Sequence, residues 1–178
     1  MRIHGPMHEP ATLVPAVAEP ESFEGFFEEQ RDRLFGALCL ITGDRFEAEE
    51  VAQDAFLAVW ERWDRVRSMD SPAGYLYRTA MNGYRKGRRR AALALRRAVR
   101  VAPREDAFAA AEAHEVVRAA LASLTERQRA ALVLTELLGF NSEEAGQCMG
   151  IRAVTVRVLA SQGRAALTRA AESGRIDG

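Results

Sequence analysis

Residues 44–63, DRFEAEEVAQDAFLAVWERW, constrain the fold more than any other stretch, because their apolar side chains recur at spacings of three and four. That spacing lines one side of a 3.6-residue helix with apolar bulk, so an amphipathic helix that ends near Asp64 is predicted. Asp44, with Glu47 three residues later, forms a capping-box pattern that would start this helix. The apolar set consists of Phe46, Ala48, Val51, Ala52, Ala55, Phe56, Val59, Trp60 and Trp63.

The opposite side of this predicted helix is acidic. Carboxylates recur there at helical spacing, and the apolar Leu57 interrupts the row. An acidic stripe is most often a solvated surface, and a docking surface for another protein is the alternative. The sequence of this helix alone leaves both interpretations open. The carboxylates are Glu47, Glu50, Asp54, Glu61 and Asp64.

The formal charge of the chain is zero, but the charges are unevenly distributed. The 178 residues are 48% hydrophobic and 28% charged, a composition typical of a soluble globular protein. Residues 21–64 contain twelve Asp and Glu, whereas residues 78–104 contain ten Lys and Arg and no acid. An acidic front and a basic middle indicate at least two kinds of partner.

Several classes of protein are disfavoured by what the sequence lacks. Cys39 and Cys148 lie far apart within apolar helical patterns, so both are expected to be reduced core side chains. No run approaches membrane-spanning length, and the Pro-rich residues 1–21 are expected to form a flexible leader in a cytoplasmic protein. Without metal-ligand spacing or a Gly-rich phosphate loop, neither an enzyme nor a bound metal or cofactor is expected.

Cap signals divide the rest of the chain into further helices, so the predicted fold class is all-α. Ser22 and Gly43 bracket a first helix, and Ser71 followed by Pro72 begins the helix after the acidic one. Residues 91–114 have weaker periodicity and are predicted to form a linker. Helical patterns resume from residue 115, with capping boxes at Thr125/Gln128 and Asn141/Glu144 and a helix stop at Gly139.

The helix predicted to start at Pro72 carries a basic stripe. Its polar positions recur at spacings of four, three and four, and tyrosines lie between them. Guanidinium groups bind phosphates and aromatic rings stack on unpaired bases, so nucleic acid is favoured over a merely solubilising surface. The stripe consists of Arg78, Asn82, Arg85 and Arg89, and the tyrosines are Tyr75, Tyr77 and Tyr84.

Residues 140–167 have the pattern of a helix-turn-helix, with a short helix, a turn at Gly150 and a longer helix. The second helix of this motif places its early residues in the major groove of DNA, although many helical hairpins share the spacing. Gly146 lowers the helix propensity of the first helix. The polar residues that the second helix would offer to DNA are Arg152, Thr155, Arg157, Ser161 and Arg164.

The two halves together resemble a known family. In this order, over about residues 22–171, they are similar to the extracytoplasmic-function group of bacterial RNA polymerase sigma factors, in the segments AEEVAQDAFLAVWERW, PAGYLYRTAMN, LASLTERQRAALVLTELLGFNSEEAG and MGIRAVTVRVLASQGRAAL. The resemblance implies two small helical domains joined by a linker, the C-terminal one being the helix-turn-helix. The implied division is leader (1–21), region 2 (22–90), linker (91–114), region 4 (115–172) and tail (173–178).

This resemblance also implies partners and site residues. Region 2 would bind the clamp of the largest subunit of core RNA polymerase and open the −10 promoter element, and region 4 would read the −35 element. An anti-sigma factor is a further expected partner, and the active protein would lie at the nucleoid. The implied core-binding residues are Glu50, Gln53, Asp54 and Leu57, the −10 residues are Ser68, Met69, Tyr75, Arg78, Asn82, Arg85 and Lys86, and the −35 residues are Arg152, Thr155, Arg157, Ser161 and Arg164.

The alternative function is that of a stand-alone transcription regulator, which binds DNA through the helix-turn-helix and never contacts polymerase. Such a protein has no use for an acidic helix face that is interrupted by Leu57. The acidic stripe therefore discriminates between the two functions.

Overall fold

The computed structural model describes residues 22–95 and 120–173, and helices are the regular secondary structure within these ranges. The leader, the greater part of the predicted linker and the end of the tail lie outside them. The all-α prediction is confirmed. The helices are α1 (Phe23–Thr42), α2 (Arg45–Trp60), α3 (Trp63–Val66), α4 (Pro72–Leu95), α5 (Glu126–Leu132, extended by a π-helical turn over Val133–Leu137), α6 (Ser142–Met149) and α7 (Ala153–Ser173).

The helix boundaries follow the predicted cap signals. Ser22 and Asp44 each accept a hydrogen bond from the backbone N–H three residues later, at 3.2 and 3.0 Å. After α1, Gly43 has a φ of 70°, a left-handed conformation that glycine adopts without steric cost. Both predicted capping boxes of the second half form, because Thr125 and Asn141 each exchange hydrogen bonds with the third helical residue.

The end of α2 differs from the prediction. The helix ends at Trp60, before the expected end near Asp64. The chain then turns so that the Trp63 ring lies against those of Phe23 and Phe26, with ring centroids 5.7 and 5.1 Å apart. Because aromatic burial against α1 stabilises the turn, it outweighs continuation of the helix.

α1 and α2 each carry large apolar side chains that the core between the helices does not bury. Phe46 and Trp60, two members of the apolar row that the sequence places on one side of α2, leave 63% and 58% of their surfaces exposed and are not part of the core. Phe27 of α1 is also exposed, whereas its neighbour Phe26 enters the core. Small side chains at the centre of the α2 row let the neighbouring helices approach closely, which leaves the flanking rings outside. These small residues are Ala48, Ala52 and Ala55.

The second half forms the predicted helix-turn-helix. α6 ends at Gly150, which has a φ of 64°, and α7 folds back against α5 with Val156 and Ala160 buried. A Cβ at Gly146 would lie 2.7 Å from the Ile151 carbonyl oxygen. The glycine that weakens α6 as an isolated helix therefore lets the turn pack directly on it.

The two helical units pack against each other, α4 on α6 and α1 on α5. The Tyr77 ring lies edge-on to Phe140, with ring centroids 5.4 Å apart. Arg129 of α5 donates from Nε to the Ile41 carbonyl at the end of α1, at 3.1 Å, and from Nη1 to the Leu121 carbonyl, at 3.3 Å. Carbonyls in the last turn of a helix lack partners within that helix, so this guanidinium satisfies acceptors of both units.

Gly146→Ala is expected to destabilise the protein, because the added methyl group would meet backbone rather than a movable side chain. We expect the free energy of unfolding in urea to fall by about 1–3 kcal/mol. Gly36→Ala in α1 is the matched control, since its added Cβ meets no neighbouring segment within 4 Å, and it should stabilise the protein through helix propensity. A Gly146→Ala variant as stable as the wild type would contradict the close packing of the turn.

Candidate protein-docking and nucleic-acid interfaces

The outer face of α2 brings the predicted polymerase-binding residues together. All of them are exposed, because they lie on the side of α2 opposite its buried alanines. Leu57, the apolar member of the set, leaves 53% of its surface in solvent. The exposed set is Glu50, Gln53, Asp54 and Leu57.

Beside this face, α1 and α2 enclose an apolar groove of about 820 Å³. Phe27 and Phe56 form its floor with their rings edge-on, 4.8 Å between centroids, and Leu57 and Trp60 line it from α2. Sequence reasoning missed this groove because it considered each helix alone. The sequence did contain a signal for it, since α1 and α2 have more aromatic residues than one buried side of each helix can accommodate. The charged lining is Glu24, Glu28, Arg31, Asp32, Arg45 and Glu49.

The first turns of α4 place Tyr75 beside Arg78. The guanidinium carbon of Arg78 lies 5.4 Å from the centroid of the Tyr75 ring, a cation–π distance. Both side chains line a cleft of about 270 Å³ with Met69 from the preceding loop and Phe140 from the helix-turn-helix unit. The structure therefore groups three predicted −10 residues at one cleft. Ser68 does not line this cleft; it is exposed, and its Oγ donates to the Arg65 carbonyl of α3 at 2.9 Å.

Arg85 lies at the boundary between α4 and α6. Its guanidinium donates to the Asn82 Oδ1 and to the Met149 carbonyl in the last turn of α6. The helix dipole makes carbonyls at this end partly negative, which favours a cation. Two predicted −10 residues are thus joined to each other, and Arg85 is also bound to the helix-turn-helix unit. Lys86, the next residue, is exposed.

Two of the three tyrosines predicted to stack on bases are buried. Tyr77 is 4% exposed and Tyr84 is 2% exposed, whereas Tyr75 is partly accessible. Burial raises the pKa of both buried phenols, and the carboxylate of Glu126 raises that of Tyr84 further. In this structure neither buried ring is available to a base. Tyr77 packs against Phe140 of the helix-turn-helix unit, and Tyr84 lies with the buried Leu76 and Ala80 on the core side of α4.

The predicted −35 residues lie on α7, except Arg152, which directly precedes it. The Arg164 Nη1 lies 2.6 Å from the Glu136 Oε1 in an ion pair with the π-helical turn after α5. Thr155 is partly buried, near the first turn of α7. The remaining residues are exposed at the beginning of the helix and along its outer face: Arg152, Arg157 and Ser161.

The described residues offer no group of three or more His, Cys, Asp or Glu side chains that could hold a metal ion. In the same part of the chain, no helix is long and apolar enough to cross a membrane. Cys39 and Cys148 are unpaired thiols, and burial raises the pKa of both, that of Cys148 to about 11. Cys148 is buried, as expected of a core side chain, whereas Cys39 is half-buried.

Two family models match the chain in the order of these surfaces. Sigma-70 region 2 matches residues 26–94, which include α2 and most of α4. Sigma-70 region 4 matches residues 114–167, which include the helix-turn-helix.

A curated relative matches across both regions. The ECF RNA polymerase sigma factor SigE of Mycolicibacterium smegmatis is 28% identical over 153 residues, which are 80% of this chain and 59% of the relative. The chain thus spans less than two thirds of the length of that relative.

Solved structures share the fold at lower identity. The match to the complex of RpoE with the anti-sigma factor NepR from Bartonella quintana has a TM-score of 0.66 at 19% identity, covering 84% of this chain and 98% of the other. The match to a chain of the PhyRSL–NepR complex from Sphingomonas sp. Fr1 has a TM-score of 0.61 at 21% identity and covers 83% of this chain and 88% of the other. The match to the complex of CnrH with the cytosolic domain of CnrY has a TM-score of 0.55 at 22% identity and covers 85% of this chain and 88% of the other.

Matches to region 2 and region 4, in that order and on one helical fold, lead to one conclusion. The chain belongs to the sigma-70 family of RNA polymerase sigma factors and has the two-region organisation of its extracytoplasmic-function group.

Proposed function

We propose that this protein is a sigma factor that binds core RNA polymerase, directs it to specific promoters and opens the −10 element for transcription initiation. The observation that carries this proposal is the succession of region 2 and region 4 on two helical units with chemically different outer faces. An acidic face with an apolar centre suits protein docking, and basic faces suit DNA. The proposed role is that of an initiation factor without catalytic activity of its own.

The proposed polymerase-docking surface is the outer face of α2 together with the neighbouring apolar groove. Exposed Leu57 lies next to this groove, and an apolar side chain that becomes buried on binding is a typical source of affinity. Glu50 and Asp54 would steer a partner with complementary basic groups. These features support the clamp of the largest polymerase subunit as the partner.

The proposed −10 surface runs from the loop before α4 to Lys86. A base turned out of the duplex needs a pocket and an aromatic or guanidinium face to stack on. The cleft lined by Met69, Tyr75 and Arg78 offers both. Arg85 and Lys86 would contact phosphates, and Arg85 has to leave the Met149 carbonyl before it can bind DNA.

The proposed −35 surface is the outer face of α7, with residues 22–90 and 115–172 acting as the two functional domains. We also propose an anti-sigma factor as a partner, because the similar chain RpoE was solved in complex with the anti-sigma factor NepR, and the similar chain CnrH with the cytosolic domain of CnrY. The proposed location is the cytoplasm, with the active protein at the nucleoid. A stand-alone regulator is less favoured, because it leaves the region 2 match without a role.

Leu57→Ser is expected to weaken binding to core polymerase by about tenfold, because it removes apolar area that docking would bury. Binding can be measured by the fluorescence anisotropy of the labelled protein titrated with core polymerase. Leu93→Ser on α4 is the matched control, since Leu93 is 56% exposed against 53% for Leu57. The docking assignment would be wrong if Leu57→Ser bound core polymerase as tightly as the control does, or if the double charge reversal Glu50→Lys with Asp54→Lys bound it normally.

Lys86→Ala and Arg85→Ala are each expected to reduce open-complex formation several-fold while leaving core binding intact. Permanganate reactivity of unpaired thymines at the −10 element measures opening, and each lost phosphate contact should lower the salt-dependence slope of DNA binding by about one unit. Arg33→Ala, which removes an exposed base from α1, is the control. Unchanged opening in both variants would show that Arg85 and Lys86 belong to an ordinary solvated surface.

A further inference from the structure

The outer face of α7 exposes two large apolar side chains. Val154 and Val158 leave 47% and 50% of their surfaces in solvent. Residues four apart are neighbours on a helix, so the two isopropyl groups form one short apolar row. No acidic residue occurs in α7 before Glu172. Within α7, the row therefore has basic and neutral polar side chains beside it, and the nearest carboxylate at the start of the helix is that of Glu143 on α6.

Packing fixes the orientation of this row. Val156 and Ala160 are buried against the rest of the unit, and a Cβ at Gly163 would lie 2.7 Å from the Leu132 Cδ1. Successive helical residues are rotated by about 100°, so Val154 and Val158 lie on the side of α7 opposite this contact. The two valines consequently belong to the surface rather than to the core.

The surroundings of the row favour DNA as its occupant. Arg152 and Arg157 are exposed at the start of α7 and along it, and the hydroxyl of Ser161 lies on the same outer side. An apolar protein partner would have to desolvate both guanidinium groups without compensation. The major groove instead has phosphates along its walls and, between them, one apolar group on the base edges, the C5-methyl group of thymine.

We propose that Val154 and Val158 contact thymine C5-methyl groups in the −35 element. The inference rests on the proposed reading of that element by α7. Valine has neither donor nor acceptor in its side chain, so these contacts would select thymine by its methyl group alone. One helical turn separates the valines by about 6 Å, which corresponds to roughly two base-pair steps, and the two thymine positions should lie within that span.

The test uses holoenzyme assembled from core polymerase and the full chain. Duplexes randomised across the −35 region are first selected for binding to this holoenzyme. Each enriched thymine is then replaced singly by deoxyuridine, which removes the methyl group and keeps the base pair. Loss of one buried methyl contact should weaken binding about fourfold at one or two positions and leave the other positions unchanged.

Protein variants assign each methyl group to its valine. Val154→Ser and Val158→Ser should each abolish the thymine-to-deoxyuridine difference at one position while preserving the fold, because both side chains are exposed. Leu137→Ser is the matched control, since Leu137 is 59% exposed outside α7, and it should keep the difference at every position. The deoxyuridine comparison within wild type does not depend on the folding of any variant.

The outcomes separate this inference from the function on which it rests. If holoenzyme enriches no −35 sequence, the reading of that element by region 4 fails and the inference fails with it. If a −35 sequence is enriched and Arg157→Ala weakens its binding, but no deoxyuridine replacement does, the function stands and the valine contacts are overturned. Persistence of the full difference in both valine variants would also overturn them.

Discussion

The position of α4 between α2 and the helix-turn-helix unit decides which surfaces of this protein are available. Leu76 and Ala80 are buried on this helix, and Tyr77 meets Phe140 across the boundary between the units. Aromatic rings bury the largest areas per residue, so these contacts dominate the boundary. What remains accessible on α4 is an edge that begins at Tyr75 and ends in its exposed basic residues.

Two arginines also form hydrogen bonds across the boundary between the units. Arg129 and Arg85 each donate to a carbonyl in the last turn of a helix that belongs to the other unit, Ile41 of α1 and Met149 of α6. Hydrogen bonds from a charged donor contribute about 1.5–3 kcal/mol each, and water or phosphate oxygens can replace such carbonyls. A nucleic acid that bound the Arg85 guanidinium would therefore have to displace the Met149 carbonyl from it.

Two surfaces stay open in this arrangement, and their chemistry differs. The groove beside Leu57 is apolar with a mixed charged rim, whereas the outer face of α7 has arginines around two valines. Apolar area provides affinity for another protein, and guanidinium groups provide affinity for a polyanion. One chain thus exposes its proposed protein-docking and duplex-reading surfaces while the proposed strand-opening surface is partly covered.

Local structure, above all the positions at which helices begin and end, was determined by the sequence alone. The caps at Ser22, Thr125 and Asn141 and the turn at Gly150 were predictable, because each depends on hydrogen bonds or steric limits within a few residues. Regions 2 and 4 could also be identified from the sequence, because each is marked by short contiguous segments. Tertiary structure alone decided that Tyr77 is buried, because contacts between residues distant in the chain determine which side of a helix is covered.

The same distinction explains the remaining differences. Gly146 weakens a helix by propensity, and only the fold reveals that its missing Cβ makes room for the Ile151 carbonyl. Phe46 and Trp60 have the periodicity of core residues, yet close packing around small alanines leaves them outside. Periodicity tells which residues share a side of a helix, whereas the width of the contact that covers this side is set by the partner helix.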